Sequence, residues 1–233
     1  MPVLWRLLRY LCYIACPLGI CALVPVLWRH TEIALVHSDL CRLAGYGFTA
    51  GCFAWFLLTR YLGFAQVFIH EMTHLLTGLL FLHPPRLLVA TEDGGRVELY
   101  GGNFLVSLAP YCVPLLPLAI MAFSPLIDLQ YQPHLFAVLG FCSGCHLVSV
   151  AQQFRFSQPD IRQTGPIFSL LFCSLGNLVF LTMIIGFLAR GPAGIADALL
   201  DGVREVRLQT LVVGNTLQPL ARQAFGLVQS WVH

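Results

Sequence analysis

The sequence contains no lysine, and only 10% of its 233 residues are charged. Its 13 basic residues are arginines, they are nearly balanced by 11 acids, and they form no basic run. Nucleic-acid-binding proteins carry a clustered basic patch, so this class is excluded. The low charge and the high apolar content also exclude disordered and coiled-coil chains.

Apolar residues fill the chain instead, with 58% hydrophobic residues and a mean hydropathy of +0.77. Such a composition is typical of an integral membrane protein. We therefore expect an all-α polytopic membrane protein with five or six transmembrane helices. The nine cysteines lie mostly inside apolar runs, where a thiol behaves as a small hydrophobe, so no disulfide framework is predicted. The apolar runs cover residues 11–28, 43–82, 103–127, 135–150 and 167–189.

Three regions follow from these runs. Residues 1–42 are predicted to form an N-terminal membrane anchor helix and a polar loop, and residues 43–190 an intramembrane core. Residues 191–233 have the spacing of an amphipathic helix, which favours a tail at the membrane interface over another span. Within the core, the run 43–82 would be a helix of about 60 Å, twice the hydrocarbon thickness, so it must break, and residues 60–63 are the expected place.

A β-hairpin is predicted between two apolar runs. Two short β-prone segments flank an Asp-Gly-Gly turn at residues 93–95, and Val97 and Leu99 alternate with charged neighbours. This pattern predicts a hairpin from Arg86 to Tyr100, directly after the segment that carries the motif described next.

A His-Glu-x-x-His motif lies inside the run 43–82, at His70, Glu71 and His74. On an α-helix the two histidines lie one turn apart on one face, so both imidazoles can bind one Zn²⁺ ion, and Glu71 can reach a water on that ion. The alternative is that the histidines bond to other helices and that Glu71 pairs with an arginine such as Arg60. The zinc site is favoured because it accounts for all three residues, and because an acid inside a membrane requires a partner.

A catalytic zinc site needs a third protein ligand, and Asp160 is one candidate. It lies in a polar stretch, residues 152–166, between two apolar runs. Polar backbone at membrane depth is tolerated only where it is buried in protein or lines a cavity. Pro159 and Gly165 predict that the stretch is non-helical and folds inward.

His146 is the alternative ligand, or a residue that supports the ligands. It is the last residue of a Cys-x-x-Cys-His sequence that begins at Cys142. This sequence matches the pattern of a haem-attachment motif. Because the motif lies inside an apolar run, we interpret its cysteines as small residues of a packed helix. His83 is a poor candidate, since it lies nearly opposite His70 on the helix.

Two asparagines, Asn103 and Asn177, also lie in apolar runs. Asparagines in such positions form hydrogen bonds between helices. An asparagine near the zinc can also hold a substrate carbonyl, so both are candidate substrate contacts.

With these motifs in view, the chain resembles the site-2 protease family of intramembrane zinc metalloproteases, and most closely its compact members without a PDZ domain. In that family a three-helix core carries the two histidines on one helix and an aspartate at the start of a later one. The resemblance implies that His70, His74 and Asp160 bind zinc and that Glu71 is the general base. The resemblance extends over residues 55–177. The segments that carry it are 68–74, 101–103, 107–114 and 159–161.

The expected function is therefore that of a zinc metalloendopeptidase. It would hydrolyse a peptide bond of a membrane-spanning substrate with zinc-activated water and a glutamate base, and the hairpin could hold the unwound substrate by strand addition. The expected cofactor is Zn²⁺, and the expected partners are a membrane-protein substrate and the lipid bilayer of a bacterial cytoplasmic membrane. The alternative is a catalytically silent membrane scaffold or receptor that retains a structural zinc site.

Overall fold

The structure is a computed structural model, and it describes residues 3–92 and 94–232. The described chain is largely helical, with one two-stranded antiparallel sheet, which confirms the predicted all-α class and its hairpin. Residue 93 of the predicted hairpin turn lies outside the described residues. The strands are β1 (Pro85–Ala90) and β2 (Gly95–Leu99). The helices are α1 (Val3–His37), α2 (Asp39–Leu58), α3 (Gly63–Leu80), α4 (Phe104–Leu108), α5 (Leu115–Phe123), α6 (Gln132–Gln153), α7 (Pro159–Thr164) and α8 (Pro166–Val232).

Within the described residues, four helical segments are long and apolar enough to cross a membrane, which is consistent with an integral membrane protein. These segments are Tyr10–Val36, Asp39–Tyr61, Leu129–Gln153 and Pro166–Thr216. The expected break after α2 is present, because a short 3-10 turn at Thr59–Tyr61 separates α2 from α3.

The apolar run 103–127 is not one straight helix. Its two parts, Phe104–Tyr111 and Leu115–Leu126, are bent by 86° relative to each other. Pro114 lies at the bend and has no N–H for a helical hydrogen bond, which explains why the helix stops there.

The structure differs from the predicted polar loop at the end of region 1–42. Helix α1 continues to His37, and α2 begins at Asp39 after Ser38, whose hydroxyl accepts a hydrogen bond from a backbone N–H of the first turn. One polar residue in this part of α1 has a tertiary partner. His30 donates a hydrogen bond of 3.1 Å to Asp201 of α8.

Helix α8 is interrupted at Arg190 and Gly191, where the backbone leaves the helical region and Gly191 has φ +65°. Beyond this break the chain returns along α1, so that a methyl group at Gly202 would lie 2.7 Å from the Leu23 side chain. The described part of the predicted tail, residues 191–233, is therefore helical. Its location at the membrane interface stays a prediction.

Helices α2 and α6 pack with their backbones in direct contact. A methyl group at Gly51 of α2 would lie 2.1 Å from the carbonyl oxygen of Phe141, and one at Gly144 of α6 would lie 2.2 Å from that of Phe48. Glycines at such crossings allow helices to approach closely in an apolar environment. The close contact fixes α6 against α2, and the C-terminal end of α6 reaches the site described below.

Candidate metal centre

Helix α3 places the motif histidines side by side. The rings of His70 and His74 have their centroids 5.0 Å apart in an edge-to-face arrangement. Glu71 follows on the adjoining face of the helix and is buried. This is the arrangement that a four-residue spacing on an α-helix predicts.

Asp160 is brought to these histidines by α7. The prediction that its stretch is non-helical is wrong at this point, because residues 159–164 form a short helix. Pro159 occupies the first helical turn, where its missing N–H costs nothing, and Asp160 lies in the same turn, where a negative charge is favoured by the helix dipole. Gly165 ends the helix with φ +100°.

One atom from each of these three residues points towards a common centre. The Oδ2 atom of Asp160 lies 3.5 Å from Nε2 of His74 and 3.9 Å from Nε2 of His70. The three atoms lie within 4.8 Å of one another, and among the described residues they form the one such group of side chains that could hold a metal ion. Two imidazoles and a carboxylate are a donor set that zinc accepts.

Each histidine is held from behind through its Nδ1 atom. Nδ1 of His74 lies 2.8 Å from the backbone oxygen of Val106, and Nδ1 of His70 lies 2.7 Å from Oε1 of Gln153. A carbonyl oxygen only accepts hydrogen bonds, so each ring donates from Nδ1 and keeps the lone pair of Nε2 for the centre.

Asp160 presents one carboxylate oxygen, Oδ2, to both histidines. The hydroxyl of Tyr111 also points to Oδ2, at 3.5 Å. Asp160 is therefore placed to serve as a carboxylate ligand.

A cavity of about 520 Å³ opens on the front of the three residues and also contacts Glu71 and β2. Strand β2 passes very close to Glu71. A methyl group at Gly95 would lie 2.6 Å from both Cγ of Glu71 and Cγ1 of Val67. The cavity is thus lined by Glu71, by the three candidate ligands and by strand β2.

His146, the alternative ligand, does not belong to this group. Its Nε2 atom donates to Oδ1 of Asn177 at 3.3 Å. The amide nitrogen of Asn177 donates to the backbone oxygens of Tyr111 and Cys173, both at 2.8 Å. The structure thus gives His146 and Asn177 the role of hydrogen bonding between helices.

Two further predicted residues lie at the edge of the site. His83 hydrogen-bonds to the backbone oxygen of Tyr100 at the end of the hairpin, at 3.2 Å, and does not join the three candidate ligands. Asn103 caps α4, where its Oδ1 accepts the N–H of Val106 at 3.0 Å. Because Val106 in turn supports His74, Asn103 stabilises the turn behind a candidate ligand. Its role as a substrate contact stays a prediction.

Sequence analysis did not identify Gln153 or Val106 as parts of the site. The one available signal was the pair of glutamines at 152–153, two polar residues at the end of an apolar run. A backbone carbonyl such as that of Val106 leaves no signal in the sequence.

Comparison of the chain with family models, with curated proteins and with solved structures finds no match.

Proposed function

We propose that this protein is an intramembrane zinc metallopeptidase of the site-2 protease type, which hydrolyses a peptide bond of a membrane-spanning substrate. The observation that carries the proposal is the meeting of Asp160 with His70 and His74 in front of a cavity that Glu71 also faces. Two imidazoles and one carboxylate are a donor set of catalytic zinc sites, which leave a fourth position open.

The residues of the chain divide the chemistry between them. A zinc ion held by His70, His74 and Asp160 would lower the pKa of a water molecule and polarise the scissile carbonyl. The Glu71 carboxylate accepts a proton from the attacking water and delivers it to the leaving nitrogen of the substrate. The Glu71 side chain is buried beside β2 and lines the cavity in front of the candidate ligands.

The hairpin supports the proposal that the substrate is bound as an extended strand. Strands β1 and β2 pair with each other, so β2 keeps one edge without a strand partner within the described residues. Residues of β2 line the cavity in front of the candidate ligands. A peptide that pairs with this edge would be extended, which exposes a carbonyl that a helix would bury.

The membrane arrangement is part of the same proposal. We propose that the four long apolar helices and the bent pair form five spans. Helix α3 has 18 residues and is about 27 Å long, close to the hydrocarbon thickness, and would be the sixth. This proposed count agrees with the five or six transmembrane helices expected from the sequence, and we propose the bacterial cytoplasmic membrane as the location.

The test is the Glu71→Gln variant, purified in detergent and assayed with a model transmembrane substrate. We expect zinc content equal to that of the unsubstituted protein and a loss of cleavage of about 100-fold or more, because only the base is removed. Glu205→Gln is the matched control, since Glu205 lies on α8, outside the cavity lining, and accepts a hydrogen bond from Gln209. An active, zinc-loaded Glu71→Gln protein would refute the mechanism. If the unsubstituted protein and both variants contain zinc but none of them cleaves the substrate, a catalytically silent scaffold would be favoured.

A further inference from the structure

The two candidate ligand histidines, His70 and His74, have different hydrogen-bond partners at Nδ1. His74 bonds to a backbone carbonyl, whereas His70 bonds to a side chain, that of Gln153 on α6. The two residues are 83 positions apart in the chain. One candidate ligand therefore depends on a side chain that can be replaced without changing the backbone.

The amide of Gln153 is itself held in one orientation. Its Nε2 atom donates to the hydroxyl oxygen of Ser149, one helical turn earlier, at 2.6 Å. Oε1 of Gln153 faces Nδ1 of His70 and accepts its hydrogen bond. A His70 that binds a metal through Nε2 carries its hydrogen on Nδ1, and a reversed amide would place NH₂ against that N–H, which is repulsive. The hydroxyl oxygen of Ser149 accepts from Nε2 of Gln153 in the same orientation.

The position of α6 is also fixed. The glycines of α6 bring its backbone into contact with α2, which leaves little freedom for α6 to slide or rotate. Gln153 is the last residue of α6 and is half-buried. The hydrogen bond to His70 thus connects the metal-binding face of α3 to the rigid helix pair.

We propose that Gln153 is a positioning residue for the metal centre: it fixes the ring orientation and the tautomer of His70, and Ser149 fixes the amide of Gln153. This inference rests on the proposed function only in that His70 must bind a metal. Partners of this kind set the orientation and basicity of the histidines that bind metals, and their removal weakens metal affinity about 10- to 100-fold.

The test is the affinity for Zn²⁺ of the purified full-length protein, measured by competition with a chromophoric chelator. We expect Gln153→Leu to bind zinc about 10- to 100-fold more weakly than the unsubstituted protein. Gln152→Leu is the matched control, since Gln152 is the neighbouring half-buried glutamine and bonds to Thr59 at 2.7 Å instead of to a candidate ligand. We expect its affinity to be unchanged.

Two further variants keep the test informative if Gln153→Leu does not fold. Gln153→Glu retains an oxygen that accepts the hydrogen bond from Nδ1 of His70, so it should bind zinc at least as tightly as the unsubstituted protein. Ser149→Ala removes only the bond that orients the amide, so its affinity should fall by less than that of Gln153→Leu. The absorption spectrum of bound Co²⁺, which reports ligand geometry, should change in Gln153→Leu and not in Gln152→Leu.

The outcomes separate this inference from the proposed function. If His70→Ala abolishes zinc binding but Gln153→Leu binds zinc and Co²⁺ like the unsubstituted protein, the inference is wrong and the metal site stands. Equal weakening in Gln153→Glu and Gln153→Leu would also overturn it, because the acceptor would then be irrelevant. If the unsubstituted protein binds no zinc, or binds it equally well without His70, both the proposed function and this inference fall.

Discussion

Two polar clusters lie among the apolar helices, and they use their histidines differently. At the candidate metal centre, the Nε2 atoms of His70 and His74 and a carboxylate oxygen of Asp160 face one another. In the second cluster, His146 donates to the amide oxygen of Asn177, whose nitrogen donates to two backbone oxygens. The first cluster brings together three atoms that can each bind a metal, whereas each of these contacts in the second cluster joins a donor to an acceptor. A metal site is distinguished from hydrogen bonding between helices by several nitrogen and oxygen atoms that point their lone pairs at one place.

The largest effect should come from removing a candidate ligand. We expect His70→Ala, His74→Ala and Asp160→Ala to lose zinc, because two ligands rarely hold the ion in competition with water. His146→Ala should retain one zinc per chain. Elemental analysis of the purified proteins gives the answer. Loss of zinc in His146→Ala together with its retention in Asp160→Ala would reverse the assignment of the two clusters.

The second cluster should affect stability instead of metal binding. Asn177→Ala leaves Nε2 of His146 and the Tyr111 carbonyl without their partner, which should cost about 2 kcal/mol of unfolding free energy. A thermal denaturation series in detergent, with zinc content measured in parallel, tests this. An unchanged melting temperature, or a loss of zinc, would contradict the separation of the two clusters.

A substitution at Gly95 tests whether strand β2 holds Glu71 in position. A methyl group there would meet Glu71, so Gly95→Ala should displace the acid and lower cleavage about tenfold, because small misplacements of a catalytic group are costly. Gly102→Ala is the control, since Gly102 lines the same cavity and a methyl group there would have no neighbour within 4 Å. Zinc content should be unchanged in both. Full activity of Gly95→Ala would mean that β2 does not constrain the base.

The smallest expected effect is at Tyr111, which connects the two clusters. Its hydroxyl points to Asp160, and its backbone oxygen accepts from Asn177. Tyr111→Phe removes only the first of these contacts, a long one at 3.5 Å, so zinc affinity should fall about threefold or less and stability should hold. Chelator competition and thermal denaturation measure the two effects. A stability loss as large as that of Asn177→Ala would show that the clusters are not independent.

Features set by local sequence could be predicted, and features set by distant contacts could not. The motif on α3 and the hairpin follow from helical spacing and from alternation around a glycine turn, and both are present. The short helix α7 was missed, although Pro159 is compatible with a first helical turn, because a proline also indicates a break.

The missed features depend on tertiary partners. Helix α1 continues through its polar end, where His30 contacts Asp201, a residue 171 positions away in the chain. Gln153 supports His70 across 83 positions of the chain, and no local pattern marks that pairing. The choice between Asp160 and His146 was likewise open from the residues alone, since each is a plausible ligand type, and only the fold shows which one faces α3.

The most direct test of the central claim is X-ray absorption at the zinc edge of the purified, zinc-loaded protein. The account predicts a first shell of nitrogen and oxygen at about 2.0–2.2 Å, with two imidazoles and no sulfur, and its loss in Asp160→Ala. A sulfur shell at about 2.3 Å, which would indicate cysteine ligands, or an unchanged spectrum in Asp160→Ala would contradict the claim that these three residues form the metal centre.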